Sequence, residues 1–175
     1  MPFDDEDRGP TLLKYSGNVV NPDREEPTQS PDDPYLIALT EALWHPEPQT
    51  RQVVAWILGQ KKAVQAVSAL KMAIAHFRDS DPYFVATAAR ALGAIGDPEA
   101  IPLLAELLDG SYLAVRLAAV QALADIGSPP ALEALYRARA DPSPTVRQAL
   151  DRIPGVPPPD RTAGGPGSDP GTNGQ

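Results

Sequence analysis

The chain has 175 residues, 42% hydrophobic and 22% charged, which is enough apolar material for one packed domain. It contains no cysteine, so disulfides, thiolate metal sites and cysteine nucleophiles are excluded. Its net charge of −8 argues against direct binding to nucleic acid or to an anionic membrane surface, both of which reward clustered Lys and Arg.

Residues 1–32 carry eight acidic and three basic side chains, open on Asp4-Asp5-Glu6-Asp7 and hold Pro2, Pro10, Pro22, Pro27 and Pro31. Such a leader cannot bury enough apolar surface to offset its chain entropy, and disorder is expected. One island interrupts it, Leu12-Leu13-Lys14-Tyr15 followed by Gly17-Asn18-Val19-Val20. It reads either as scattered apolar residues of a tail or as a segment that covers the first helix or engages a partner.

From residue 33 to 154 the pattern changes to a repeat. Thr50–Gly59 (TRQVVAWILG), Phe84–Gly93 (FVATAARALG), Val115–Gly127 (VRLAAVQALADIG) and Val146–Ile153 (VRQALDRI) are copies of one helix. Arg51, Val85, Arg116 and Arg147 occupy matching positions, separated by 34, 31 and 31 residues. Each copy follows a helix of a first type, beginning at Pro34, Lys62, Pro98 and Pro129. Two helical patterns per near-constant period mark a stacked array, because a single helix pair cannot bury both its faces.

The local signals agree with helices. Ile101, Leu104, Leu107 and Leu108 fall three and four apart on one stripe. Asp33-Pro34, Asp97-Pro98 and Ser128-Pro129 each place a capping side chain before a first-turn proline. Gly96 and Gly127 stand where left-handed caps end the preceding helices. Small residues at 88, 91, 119 and 122 let neighbouring helices approach closely. Beyond Pro154, residues 155–175 are rich in Pro and Gly and read as a second disordered tail.

Asp97-Pro-Glu-Ala-Ile-Pro-Leu-Leu, Val115-Arg116, Ala118-Ala119, Ala122-Leu123 and Ile126-Gly127 resemble HEAT repeats of the short, phycobilin-lyase-like kind over about residues 33–153. Other repeat types fit less well. The order Trp56-Ile-Leu58-Gly59 is not the tetratricopeptide pattern, and the Thr-Pro-Leu-His of ankyrin repeats does not occur. The resemblance implies an all-α solenoid of about four helical pairs whose second helices line the concave face. It also implies Asp–Arg pairs at the turns: Arg116 with Asp109, Arg147 with Asp141, and Arg51 with Asp79 or Asp81. Val85 breaks that ladder in the second unit. The role of these pairs is structural.

No catalytic constellation emerges, and no cofactor or metal is expected. The two His, His45 and His76, are isolated and placed in last turns of first-type helices. Neither is followed by Glu, which excludes the di-iron site of the related deoxyhypusine hydroxylases. Gly93-x-x-Gly96 lacks the Lys and Ser or Thr of a phosphate-cradling loop, and Asp79 and Asp81 read as turn caps. On the second helices, two columns avoid the apolar stripe: Gln52, Ala86, Leu117, Gln148 and Trp56, Arg90, Gln121, Arg152. Trp56, Arg90, Leu117, Gln121 and Arg152 are therefore the candidate protein-binding residues, a mix enriched at hot spots. The alternative is that Trp56 packs on the following unit and Arg90 is merely solvated. Tyr83 and Tyr112 either line the same rim or staple turns. The last helix keeps Val146, Ala149, Leu150 and Ile153 on one stripe, an edge suited to docking another subunit or a second copy. The function expected is a non-enzymatic protein-binding scaffold, and the alternative is a subunit of a phycobiliprotein chromophore lyase. The absence of any signal-peptide-like segment or apolar run of about 20 residues makes the cytoplasm the expected setting.

Overall fold

A computed structural model describes residues 33–156, and the leader with its Leu12–Val20 island and residues 157–175 lie outside the described residues. The repeat is realised as eight α-helices in four successive pairs, with no strand among the described residues. The first pair is α1 (Pro34–Ala42) and α2 (Pro48–Gln60), the second α3 (Val67–Phe77) and α4 (Pro82–Ile95). The third is α5 (Ile101–Leu107) and α6 (Leu113–Ile126), the fourth α7 (Pro129–Arg137) and α8 (Pro144–Leu150). Short 3-10 turns precede α3 and α5 and follow α7.

The capping chemistry explains several boundaries. Asp33 accepts from the Tyr35 amide at 2.9 Å, Asp81 from Phe84 at 3.0 Å and Asp97 from Glu99 at 2.8 Å. Ser128 departs from expectation: it makes no side-chain cap, and its buried Oγ has no partner. α4 and α6 end on Gly96 and Gly127, at φ +80° and +61°. A Cβ on Gly96 would meet nothing within 4 Å, so only the left-handed backbone opposes Gly96→Ala. That substitution is expected to cost about 1 kcal/mol in a urea melt. The helix expected from Lys62 onward starts instead at Val67, because Lys62 turns to φ +50° and Ala63 bonds back to the Leu58 carbonyl at 3.1 Å. His45 lies beyond α1 rather than in its last turn, whereas His76 sits in the last turn of α3.

The second helices form the inner column, α2 on α4, α4 on α6 and α6 on α8, and each first helix but the last packs mainly on its own partner. One continuous core runs through the array, including the fully buried Leu43, Leu58, Ile74, Phe84, Leu92, Leu104, Leu123, Leu135 and Leu150. Each such side chain contributes about 1.5–3 kcal/mol. The column is tightest where Gly59 faces Ala91 and Gly93 faces Ala122: a Cβ there would lie 2.8 Å and 2.5 Å from the opposing Cα.

The turns are tied by arginines in a way the spacing did not convey. Arg51 donates from Nη1 to the carbonyls of His45 (2.7 Å) and Pro46 (3.0 Å) in its own turn. Its Nη2 reaches Asp81 of the next unit at 2.6 Å, and its guanidinium lies over Phe77. Arg116 repeats the device, holding the Gly110 and Ser111 carbonyls and reaching Asp141 at 2.8 Å through Nε. The expected partner Asp109 is instead exposed, because Arg116 uses one end on its own turn and has the other free for the following unit. Arg147 binds the carbonyls of Asp141 and Pro142 rather than the Asp141 carboxylate, which is engaged by Arg116 and the Ser143 amide. The ladder is therefore directional, each rung running from one unit to the next.

The C-terminal edge is more covered than the sequence suggested. After α8 the chain turns through Gly155 at φ +85° and buries Val156, so packed structure extends past residue 154. Arg139 holds this turn, pairing with Asp151 and donating to the Val156 carbonyl at 2.9 Å.

Candidate protein-binding face

Stacking the second helices side by side leaves one flank of each free of neighbours, and side chains one turn apart on that flank line up across the array. Two adjoining grooves result. The first, about 610 Å³, lies between α2 and α4 and is lined by Val53, Trp56, Thr87, Arg90 and Gln121, with Asp125 at its far end. The second, about 720 Å³, lies between α6 and α8 and is lined by Arg90, Leu117, Gln121, Ile153 and Arg152. Arg90, Gln121 and Asp125 belong to both, so the grooves form one trough. Volumes of this size match small-ligand or peptide sites.

All five candidate residues line the trough. Trp56 is 58% exposed and so is not packed on the next unit. Arg90, Gln121 and Arg152 are exposed and Leu117 is half-buried against the core. Among the described residues neither Arg90 nor Arg152 has a carboxylate partner, while Gln121 donates to Asp125 at 2.8 Å. The column through Gln52 is corrected by the structure. Ala86 is buried, Gln52 and Leu117 are half-buried and Gln148 is exposed, because these positions stand one turn before the Trp56 column and are rotated about 40° from it around each helix, so each helix's own neighbours decide its exposure.

Several trough residues were not legible as such, Val53, Thr87 and Asp125 among them. They sit at the margins of the flank, where the apolar stripe and the solvent face merge; the spacing of Val53, three residues before Trp56 and so on the same helix face, was the signal available. Tyr83 and Tyr112, considered for the rim, line neither groove. Tyr112 faces a separate crevice with Arg78, Asp79 and Glu106. Among the described residues no group of three or more His, Asp or Glu is placed to hold a metal. No helix among them is long and apolar enough to cross a membrane.

An array of helical pairs with a continuous inner column and a free flank defines a helical-repeat protein, an α-solenoid. The family model for HEAT repeats matches residues 36–113 and 78–151, and the chain belongs to that family. It is also similar to a protein of Pseudanabaena tenuis (strain PCC 7409) described as "Uncharacterized phycocyanin operon protein Z", with 29% identity over 117 residues. That match covers 62% of this chain and 56% of the relative, so the chain spans little more than half the relative's length. The likeness agrees with the phycobilin-lyase-like character of the repeats.

Proposed function

We propose that this chain is a non-enzymatic scaffold that holds one protein partner along the trough. The observation that carries this is the exposed Trp56 with Arg90 in the first groove and Arg152 in the adjoining one, neither arginine having a carboxylate partner among the described residues. An aromatic anchor in an apolar groove, flanked by unpaired guanidinium groups, suits a partner segment with an apolar residue and acidic neighbours. HEAT arrays engage other proteins through such flanks, which supports the reading.

The test compares the proteins recovered by the native chain with those recovered by the Trp56→Ala, Arg90→Ala variant. Affinity for the specific partner is expected to fall at least about thirtyfold, the scale of a single hot-spot truncation, with helical circular dichroism unchanged. Equal recovery would refute the trough as the binding site.

A second reading is supported by the likeness to a phycocyanin operon protein: an accessory subunit of a chromophore lyase, with Trp56 stacking on a tetrapyrrole and Arg90 and Arg152 facing its propionates. Titration of purified protein with a free bilin discriminates the two. A saturable absorbance shift abolished by the double substitution supports the lyase reading, and an unchanged spectrum removes it.

A further inference from the structure

The trough repeats along its length, and the repeat distance limits what can lie in it. Trp56, Arg90, Gln121 and Arg152 stand 34, 31 and 31 residues apart, the first three on α2, α4 and α6 and the last just past the end of α8. Packed helices stand about 8–10 Å apart, so the column offers its side chains to an occupant about 9 Å apart. The glycine contacts of α2 with α4 and of α4 with α6 hold that step short.

Three chain conformations can be set against this step. A β-strand covers it in three residues of about 3.3 Å each, but its alternation turns every third side chain to the opposite face. An α-helix covers it in six residues, which rotate the side chain by about 240°. The seven residues that restore the helix face span about 10.5 Å, and the mismatch grows to about 4–5 Å over three steps. A polyproline II helix advances about 9.3 Å in each turn of three residues, so every third side chain meets the next protein helix on one face.

We infer that the trough takes a partner segment in the polyproline II conformation and reads every third residue of it. This rests on the proposal that the trough holds a protein partner. Trp56, 58% exposed, offers its ring to a proline or another apolar residue. Arg90 has no carboxylate partner among the described residues and takes an acidic side chain three positions on. Gln121 is tied to Asp125 at 2.8 Å, which leaves carboxylate capacity for a donor such as Lys or Asn at the next contact. Arg152, likewise without a carboxylate partner there, takes a second acidic residue. The complementary pattern is apolar-x-x-acidic-x-x-donor-x-x-acidic, read in one of the two chain directions. A polyproline segment makes no internal hydrogen bonds, and the amides of Gln52 and Gln60 in the first groove supply donors for its carbonyls.

Selection of a random twelve-residue peptide library on the purified full chain tests this. Enriched sequences are expected to carry two acidic residues six positions apart, with Pro or another apolar residue three positions outside one of them. Arg152→Glu, at an exposed position beyond α8, should convert the acidic residue farther from the apolar one into Lys or Arg. Affinity of an enriched peptide for Arg152→Ala should fall about tenfold, and the peptide with that acid changed to Gln should bind native chain and variant alike. Enrichment at seven-residue or alternate-residue spacing, enrichment with no common spacing, or no enriched peptide at all overturns the polyproline inference. Binding of the enriched peptides to Trp56→Ala, Arg90→Ala separately checks the trough. Lost binding keeps the trough as the site whatever the spacing, and unchanged binding removes the site and the inference with it.

Discussion

Asp81→Ala is expected to be among the most damaging single substitutions in the array, lowering stability by about 3–5 kcal/mol. The reason lies in what Asp81 leaves behind. Arg51 is 6% exposed, with its guanidinium on Phe77 and its Nη1 committed to two carbonyls. Removing the carboxylate strands that charge in a site with little water, and it also removes the acceptor for the Phe84 amide that starts α4. In a domain of this size the loss corresponds to a fall in Tm of about 10–15 °C. Asp81→Asn separates the contributions: it keeps an oxygen for the cap but loses the charge, and an intermediate Tm is expected. Asp141→Ala is expected to cost less, since the Arg116 side chain retains 13% exposure and water can replace part of the lost partner. Thermal melts of the three variants check the order, and an Asp81→Ala melt within a degree or two of the native one would contradict the role given to the pair.

Much of this architecture is legible before any coordinates. The spacing of Arg51, Val85, Arg116 and Arg147 states the period, and the Asp-Pro and Gly signals state where helices begin and end, because period and capping are local properties of the chain. What stayed hidden depends on neighbours in space. Whether Arg116 turns to Asp109 or to Asp141 is decided by which of its nitrogens the Gly110 and Ser111 carbonyls already occupy. The placement of Ala86 under its neighbours, and the burial of Val156 beyond the last helix, follow from the rotation of one helix against the next, which periodicity alone does not give. The candidate face was more readable, because Trp56, Arg90, Gln121 and Arg152 are spaced at the repeat period and so fall on one line whatever the curvature. Its margins, Val53 and Asp125, needed the grooves themselves.

Gly93→Ala tests the inner column, and it should destabilise even though alanine is the better helix former. Within an exposed helix that change is worth about 1 kcal/mol in favour of Ala. Here the new Cβ would stand 2.5 Å from the Ala122 Cα, 2.8 Å from its Cβ and 3.0 Å from its carbonyl oxygen. Two of the opposing atoms are backbone and the third is a Cβ fixed to it, so no rotamer change relieves the overlap, and α4 and α6 must move apart. Overpacking of this kind costs about 1–3 kcal/mol, and because the shift propagates to α2 and α8 the upper end is expected, leaving a net loss of about 2 kcal/mol. Gly59→Ala, with its closest atom at 2.8 Å and its carbonyl neighbour at 3.5 Å, should cost less. Adding Ala122→Gly to Gly93→Ala removes the methyl overlap but not the one with Cα, and only partial recovery is expected. Denaturant melts of the four proteins would show Gly93→Ala below Gly59→Ala and the double variant between Gly93→Ala and native. A Gly93→Ala protein as stable as the native chain would mean that the second helices are not held at this separation, and the trough between α2, α4 and α6 would then lose its fixed width.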